Sequence, residues 1–230
     1  MDSLVSYDLV DGVATLTMDD GKVNAISPSM LAALNDALDR AEADDAAVVL
    51  AGRPGVFSAG FDLNTLGSGG AEADALARGG FALVSRLFTF PTPVVGACSG
   101  HAIALGALLL AAGDYCVGAS GGFKLLMNEV AIGIPLPASA IALLRGRLHP
   151  SAHYRATVLA ETFTPDNAIV TGWLDRVVSP DELLTAAQDH ARTLAGLNRA
   201  AYRATKLLAR QSTVDGFADH LAAETILPRA

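Results

Sequence analysis

The pattern of apolar and polar residues predicts strands mixed with helices in the first part of the chain and helices almost alone in the last part. Leu4 to Val10 and Val13 to Met18 both suit strands, and Asp11-Gly12 between them is a strong signal for a two-residue hairpin. Ser27-Pro28 then has the residue types of a helix N-cap and first helical position, and this helix is expected to run to about Ala43. A β-hairpin followed by a helix therefore opens the fold.

Short apolar runs in the middle of the chain suit strands, two of them buried on both faces. The predicted strands are Ala47 to Leu50, Val94 to Ala97, Tyr115 to Gly118 and Phe123 to Met127. Glu72 to Phe90 has helical composition despite the Gly79-Gly80 pair inside it, and Gly67 to Gly70 before it predicts a flexible loop. Ala102 to Ala112 is apolar on every face, so a helix there is expected to be buried at the centre of the molecule.

From residue 139 onward the pattern is almost wholly helical, and only a strand over Arg176 to Val178 interrupts it. The predicted helices are Ser139 to Leu148, Ser151 to Leu159, Pro165 to Val170, Pro180 to Ala195, Arg199 to Arg210 and Val214 to Thr225. This order predicts an α/β core over residues 1–178 and an α-helical region over residues 179–230.

Composition and charge narrow the class of protein. Of the 230 residues, 51% are hydrophobic and 17% are charged, which is too apolar for a disordered chain. The formal net charge of -8 and the absence of a dense Lys and Arg run argue against a nucleic-acid partner. The longest apolar run is shorter than the roughly 20 residues that cross a bilayer, and the N-terminus lacks the pattern of a signal peptide. We therefore expect a cytoplasmic protein without a membrane partner.

Three familiar kinds of site can be compared with the residues. Gly67 to Glu72 lacks the last glycine of a dinucleotide-binding fingerprint and follows no strand. The five histidines show no metal-ligand spacing, so no metal site is predicted. Cys98 has nucleophile-elbow spacing within Gly96 to Gly100, and Asp114 and His149 follow in the order of acid and base. A thiol hydrolase is one alternative, although small residues there also suit close packing.

Several stretches follow one another in a characteristic order. They are Lys22-Val23-Asn24-Ala25-Ile26, Phe57-Ser58-Ala59-Gly60-Phe61-Asp62-Leu63, the run from Pro93 to Asp114, Asn128 to Gly133, and Ala168 to Val178. Their order and spacing resemble the crotonase (enoyl-CoA hydratase/isomerase) superfamily over nearly the whole chain. The resemblance implies an α/β fold, the ClpP/crotonase-like spiral of ββα units with a C-terminal α-helical trimerisation region. It also implies a homotrimer or a dimer of trimers.

In that superfamily two backbone N–H groups bind the thioester carbonyl of an acyl-CoA, and by position these are the N–H groups of Phe61 and Leu105. Fixed amides stabilise an enolate oxygen without reorganising. Many relatives have a run of glycines where this chain has Ala104-Leu105-Gly106, so the Leu105 side chain must find a place away from the ligand.

The resemblance also places residues along the CoA part of the substrate, so that CoA is part of the substrate and no separate cofactor is expected. These residues are Lys22, Asn24, Ala25, Ala59, Gly60, Asp62 and Lys206. Lys206, with Arg210, resembles the basic residues that relatives extend to the CoA phosphate of a neighbouring subunit, and a solvated helix face is the alternative. Asp62 and Asp114 are also expected to have structural roles at helix ends.

The carboxylates decide the expected reaction. Hydratases of the superfamily use two glutamates, which position matches to Leu108 and Glu129, and leucine cannot transfer a proton. Asn128-Glu129 followed by an apolar run resembles the Δ3,Δ2-enoyl-CoA isomerases, in which one base moves a proton from C2 to C4. The resemblance therefore implies isomerisation of 3-enoyl-CoA to trans-2-enoyl-CoA in fatty-acid metabolism, with Glu129 as the catalytic base in an apolar setting that raises its pKa.

Two further alternatives to the isomerase stay open. They are an enoyl-CoA hydratase and a non-catalytic acyl-CoA-binding protein that keeps the pocket without efficient chemistry. From the residues alone, Glu129 also suits an ordinary acid at a strand end that pairs with Lys124 or an arginine.

Overall fold

Strands of two sheets alternate along the chain, and helices connect them. The strands are β1 (Val5–Val10), β2 (Val13–Met18), β3 (Ala47–Gly52), β4 (Gly55–Ser58), β5 (Val94–Cys98), β6 (Gly100–Ile103), β7 (Tyr115–Ala119), β8 (Leu125–Leu126) and β9 (Arg176–Val178). The helices are α1 (Pro28–Ala43), α2 (Leu63–Ser68), α3 (Gly70–Thr89), α4 (Leu105–Ala111), α5 (Ala138–Arg147), α6 (Pro150–Thr157), α7 (Pro165–Thr171), α8 (Leu183–Ala195) and α9 (Arg199–Ala222). This computed structural model describes residues 3–223, so the predicted helix and helical region beyond residue 223 lie outside the described residues.

The larger sheet has six strands in the order β1-β2-β3-β5-β7-β9. β1 and β2 pair antiparallel, and the remaining neighbours in this sheet pair in parallel. Asp11 and Gly12 both have positive φ, 51° and 74°, as a type I′ turn requires. The predicted hairpin is thus confirmed, and so is the capped helix after it, because the Ser27 side chain accepts from the Met30 N–H.

The smaller sheet has three parallel strands in the order β4-β6-β8. Each of β3, β5 and β7 in the larger sheet is followed along the chain by a strand of the smaller sheet and then by helical structure. The third of these units reaches α5 through a short 3-10 turn, Val130–Ile132. The chain therefore repeats a ββα unit, as the sequence predicts.

The last two helices pack back onto the α/β part of the chain. α8 covers one face of the larger sheet, where Leu183, Ala187 and Ala191 are buried against β3, β5 and β7. α9 packs against α3 and α5 and buries Phe217. The described residues after 178 are therefore joined to the core. None of the helices within residues 3–223 is long and apolar enough to cross a membrane.

Three predicted elements differ from the observed ones. Ala102 and Ile103 belong to β6, so the buried helix begins only at Leu105. The predicted flexible loop over Gly67 to Gly70 is the joint between α2 and α3, where Gly69 and Gly70 both have positive φ. The two helices predicted after Arg199 are one continuous helix, because the polar residues between them form only an exposed stretch of its surface.

Candidate active site

The smaller sheet brings three predicted site residues to one edge. Phe61 follows the end of β4 by three residues, Leu105 follows β6 by two, and Glu129 follows β8 by three. The three strands are parallel and β6 lies in the middle, so their carboxyl ends meet at the same edge. Neighbouring strands lie about 4.8 Å apart. The chain thus places the Leu105 segment between the segments that carry Phe61 and Glu129.

Backbone hydrogen bonds with Ile26 hold the residues on either side of Phe61. The Ile26 N–H donates to the Gly60 carbonyl at 2.8 Å, and the Asp62 N–H donates to the Ile26 carbonyl at 3.1 Å. In this parallel bridge the N–H of Phe61 itself faces away from Ile26. Within residues 3–223 neither the Phe61 N–H nor the Leu105 N–H donates a hydrogen bond. Both donors are therefore available to a ligand.

Gly60 allows the two free donors to approach each other. Its φ of 88° is in the region that side-chain-bearing residues rarely adopt. A Cβ added there would lie 3.1 Å from the Leu105 nitrogen and 3.0 Å from the Ile103 carbonyl oxygen. The peptide that precedes Phe61 therefore contacts the peptide that carries the Leu105 N–H. The structure thus brings into contact the two segments that carry these N–H groups.

The Leu105 N–H lies at the start of α4, and the residue before it, Ala104, has a strained backbone conformation. Ala104 has φ 53° and ψ -124°, a combination that costs a non-glycine residue about 1–3 kcal/mol. Its N–H donates to the Leu126 carbonyl at 2.8 Å, and its carbonyl accepts from the Ala107 and Leu108 N–H groups. These bonds fix the turn at Ala104. The next N–H, on Leu105, has no acceptor in the preceding turn and points out of the helix start.

The side chains of both donors pack against α3. A Cβ added to Gly80 would lie 2.3 Å from Phe61 Cε1 and 2.8 Å from Leu105 Cδ2. Leu105 is only 1% exposed, so its side chain lies in the core and away from the ligand, as the sequence requires. A glycine inside a helix costs about 1 kcal/mol relative to alanine. Gly80 is therefore part of how this chain accommodates side chains at both donors.

Glu129 is a partly buried carboxyl without an ion-pair partner among residues 3–223. Its Oε2 atom is buried and has no hydrogen-bond partner within the described chain. Burial raises the pKa of Glu129 to about 7, and a hydrogen bond from its own backbone only partly opposes the rise. The alternative of an acid paired with Lys124 or an arginine does not hold in this structure. A carboxyl with this pKa can both accept and return a proton near neutral pH.

Leu108 and Asp62 do not supply a second acid-base group. Leu108 lies on α4 one turn after Leu105 and is 1% exposed. The Asp62 carboxylate caps α2, accepting from the Asn64 and Thr65 N–H groups at 3.3 Å and from the Thr65 hydroxyl at 2.6 Å. The Thr65 hydrogen bond keeps the pKa of Asp62 below its usual value. The structural role expected for Asp62 is confirmed.

The predicted CoA-binding residues near the chain start differ in accessibility. Lys22 is exposed, and Ala25 and Ala59 are partly exposed, so all three can contact a ligand. Asn24 is fully buried, and its Nδ2 donates to the carbonyls of Met18 and Phe57 at 3.0 and 3.1 Å. Its side chain therefore ties β2 to β4. A CoA contact through that side chain is not what the structure shows.

Lys206 also differs from its expected place. Its ammonium is buried and donates to Asp114 Oδ2 at 2.9 Å and to the Phe90 carbonyl at 3.1 Å, while Arg210 pairs with the other oxygen of Asp114 at 3.0 Å. Burial lowers the pKa of Lys206 to about 8. These bonds fasten α9 to the core, so the ammonium is not directed toward a neighbouring subunit. Asp114 has a structural role, but its carboxylate binds Lys206, Arg210 and the Val94 N–H rather than the end of a helix as expected.

Cys98 does not form a nucleophile elbow. It ends β5 and is followed by another strand, whereas an elbow leads from a strand into a helix. Its thiol is buried beside the Gly100 carbonyl at 3.1 Å, and burial raises the pKa of Cys98 to about 12. The His149 ring caps α6, and Asp114 is bound by Lys206. The thiol-hydrolase alternative is therefore wrong. Within the described residues no three His, Cys, Asp or Glu side chains cluster to hold a metal.

A spiral of ββα units is the fold of enzymes of the crotonase type, which act on acyl-CoA thioesters. The chain belongs to the enoyl-CoA hydratase/isomerase family, whose family model matches residues 8–227.

Relatives agree on the family but differ in the reaction that they are named for. A protein from Mycobacterium tuberculosis is called an enoyl-CoA isomerase in one solved structure and a probable enoyl-CoA hydratase in another. The first of these structures has a TM-score of 0.92 and 44% identity, covering 97% of this chain and 100% of that chain. Human mitochondrial Δ3-Δ2-enoyl-CoA isomerase has a TM-score of 0.87 and 26% identity, covering 97% of this chain and 93% of that chain. A carnitinyl-CoA dehydratase from Salmonella arizonae is 30% identical over 185 residues, which are 79% of this chain and 70% of that protein.

Proposed function

We propose that this protein isomerises 3-enoyl-CoA to trans-2-enoyl-CoA, with Glu129 as the single proton shuttle. The observation that carries the proposal is the partly buried Glu129 carboxyl, whose Oε2 atom has no hydrogen-bond partner among residues 3–223, combined with a buried hydrocarbon at Leu108. A hydratase must both activate water and move a proton, which two glutamates share in the hydratases of this superfamily. Asp62 follows the same end of β4, but its carboxylate caps α2. Glu129 is then the carboxyl proposed to move the proton, which suits a reaction that adds no water.

In the proposed mechanism, the thioester oxygen accepts hydrogen bonds from the N–H groups of Phe61 and Leu105. Glu129 removes a proton from C2, and the negative charge that develops on the oxygen is stabilised by these two donors. The same carboxyl then returns the proton to C4 of the dienolate, which moves the double bond to C2. Loss of one donor of this kind typically lowers the rate about 10²- to 10³-fold.

A comparison of two substrates tests the proposal against the hydratase. The protein is incubated separately with 3-enoyl-CoA and trans-2-enoyl-CoA, and the products are followed by chromatography. We expect rapid conversion of the first and little 3-hydroxyacyl-CoA from the second. Hydration of trans-2-enoyl-CoA at a rate that matches isomerisation would show that the single-base assignment is wrong.

Hydrogen exchange at C2 tests the proposal against a non-catalytic acyl-CoA-binding protein. A saturated acyl-CoA cannot isomerise, but its C2 proton can still be removed when the enolate is stabilised. We expect the protein to exchange this proton for deuterium in D₂O, measured by mass spectrometry. A protein that binds the acyl-CoA in calorimetry without accelerating exchange would be a carrier.

We also propose that the chain assembles as a trimer or a dimer of trimers and acts in the cytoplasm. The support for assembly is a set of large apolar side chains on and near α6 and α7 that this single chain leaves exposed, such as Tyr154 (59%), Leu159 (60%) and Val170 (76%). Monomeric proteins rarely expose large contiguous apolar patches. Sedimentation equilibrium is expected to give three or six times the chain mass of 23.6 kDa, and a monomer at micromolar concentration would contradict the proposal.

A further inference from the structure

Gly80 is a position of α3 that faces the side chains of both proposed oxyanion donors. A Cβ there would overlap two atoms of the Phe61 ring, at 2.3 Å and 2.6 Å, and the Leu105 Cδ2 atom at 2.8 Å. Phe61 and Leu105 come from the ends of two different strands, β4 and β6. A single point on a third element therefore touches both donor residues.

The neighbouring Gly79 provides a contrast within the same helix. A Cβ there would meet the end of one side chain only, the Leu31 Cδ2 methyl at 2.3 Å, with the other Leu31 atoms at 3.6 Å or more. Leu31 is partly exposed and can change rotamer. Gly79 thus makes room for a flexible side chain far from the donor amides.

The side chains at Gly80 have much less freedom to move. Phe61 is partly exposed, as Leu31 is, but its ring is flat and the Phe81 ring packs edge-on against it at 6.0 Å. Leu105 is 1% exposed and is part of the main hydrophobic core. Closely packed interiors transmit such displacements because few voids exist to absorb them. A methyl group at position 80 would therefore push on the Cα atoms that carry the two donor N–H groups.

We propose that Gly80 is a positioning residue of the oxyanion hole. The side chains of Phe61 and Leu105 both pack against its Cα, which carries no side chain. This packing fixes the two side chains and so the distance between the N–H groups of the two residues. The inference rests on the proposed function of these two amides. It accounts for a glycine inside a helix at a buried position, where alanine has the better helix propensity. A shift of about 1 Å in a catalytic group can cost 10²-fold in rate.

The matched pair Gly80→Ala and Gly79→Ala tests this inference. For Gly80→Ala we expect kcat for 3-enoyl-CoA, and the rate of C2 exchange of a saturated acyl-CoA, to fall about 10- to 100-fold. The Kd for CoA itself should change less than threefold, because the donors contact only the thioester. Gly79→Ala should keep both rates within about twofold. Equal losses in the two variants, or an unchanged kcat in Gly80→Ala, would overturn the inference.

A rescue experiment separates positioning from a general loss of structure. Phe61→Leu removes the ring atoms that meet the new methyl group but keeps the backbone N–H, so Gly80→Ala/Phe61→Leu should have a higher kcat than Gly80→Ala alone. A double variant with a kcat no higher than the single variant contradicts the inference. Phe81→Leu removes the aromatic ring that packs against the Phe61 ring, so this variant should also have a lower kcat. It provides a second test if Gly80→Ala does not fold. An unchanged kcat in Phe81→Leu contradicts the inference.

The wild-type protein distinguishes failure of this inference from failure of the proposed function. A wild-type protein that neither isomerises 3-enoyl-CoA nor exchanges the C2 proton overturns the proposed function and this inference with it. An active wild type beside a fully active Gly80→Ala variant overturns the inference alone.

Discussion

Two buried carboxylates of this protein have opposite surroundings. Asp114 accepts from the Lys206 ammonium at 2.9 Å, the Arg210 guanidinium at 3.0 Å and the Val94 N–H at 2.7 Å. Glu129 has no ion pair among the described residues, and its Oε2 atom has no hydrogen-bond partner there. Asp114 joins the last helix to the core, whereas Glu129 lies at the edge where β4, β6 and β8 end.

The difference between Asp114 and Glu129 shows that burial of a carboxyl group can have two different results. A buried charge with complete partners stays charged and holds its elements together. A buried carboxyl without partners is held less favourably in its charged form, so its pKa rises toward the pH at which an enzyme works. We expect substitution of Asp114 to change mainly stability and substitution of Glu129 to change mainly the rate.

The largest expected effect is on catalysis. Glu129→Gln keeps the size and polarity of the side chain but cannot accept a proton, so we expect kcat for isomerisation to fall by about 10²- to 10⁴-fold. Binding of acyl-CoA, measured by calorimetry, should be retained. Glu72→Gln, which changes an exposed glutamate in the first turn of α3, is the control. Unchanged turnover in Glu129→Gln would place the base elsewhere.

The next effect is on stability. Asp114→Ala leaves Lys206 and Arg210 without their carboxylate, so we expect the free energy of unfolding in urea to fall by about 3–5 kcal/mol at pH 7. Burial already lowers the pKa of Lys206 to about 8. Without Asp114, which raises the pKa of Lys206, burial lowers that pKa further. The variant therefore releases this proton at lower pH than the wild type, so the deficit should shrink as the pH approaches 8 and level off above it.

A surface pair provides the control for Asp114. Asp189 pairs with Arg192 at 2.6 Å on the exposed side of α8. Asp189→Ala should change the free energy of unfolding by less than about 1 kcal/mol. Similar losses in the two variants would show that the Asp114 cluster is no more than a surface ion pair.

A smaller effect concerns pH and the stability of the active site. Because burial raises the pKa of Glu129 to about 7, kcat/KM should rise with pH and level off above that value.

The stability of the fold should also depend on this ionisation. The folded state holds the Glu129 proton more tightly than the unfolded state, so loss of the proton destabilises the fold as pH rises from about 4.5 to 7. Glu129→Gln removes this cost and should be more stable than the wild type at pH 8, by at most about 3 kcal/mol. The two proteins should have nearly equal stability at pH 4, and a gain of the same size at both pH values would contradict the assignment.

The smallest expected effect is at Cys98. The Cys98 thiol is buried, and its raised pKa keeps it neutral. It is therefore unlike both the ion-paired carboxylate of Asp114 and the carboxyl of Glu129. Cys98→Ala should lower the free energy of unfolding by about 1 kcal/mol and leave kcat within about twofold. Loss of thioester turnover in this variant would restore the thiol nucleophile as a candidate.

Local signals made the beginning of the fold predictable. The Asp11-Gly12 turn and the Ser27 cap each act within a few residues, and both appear in the structure where the sequence predicts them. β6 was not predictable in this way. The apolar run that begins at Ala102 suits a buried strand and a buried helix equally, and only pairing with β4 and β8 decides its first residues.

The candidate site was predictable in its residues but not in their contacts. Phe61, Leu105 and Glu129 follow from the resemblance, yet nothing in the sequence shows that the three come from one small parallel sheet. The Lys206 ammonium and the Asn24 side-chain amide have partners in the core. The sequence could not show this, because the same residue type suits contact with a ligand and contact with the core. The sequence shows that the Gly79-Gly80 pair is an exception to helix propensity. It does not show which side chains, 19 or more residues away along the chain, pack against these two glycines.

The position of α9 has a consequence for how the protein is made. The Arg78 guanidinium donates to the carbonyls of Leu221 and Ala223, and the His220 ring packs on Phe81 at 4.7 Å. Phe81 in turn contacts the ring of Phe61. Glu129, the last of the three proposed catalytic residues, precedes the start of α9 at Arg199 by 70 residues. During translation all three residues are therefore made before α9, and the Phe81 ring that contacts Phe61 gains its His220 neighbour only after α9 has been added.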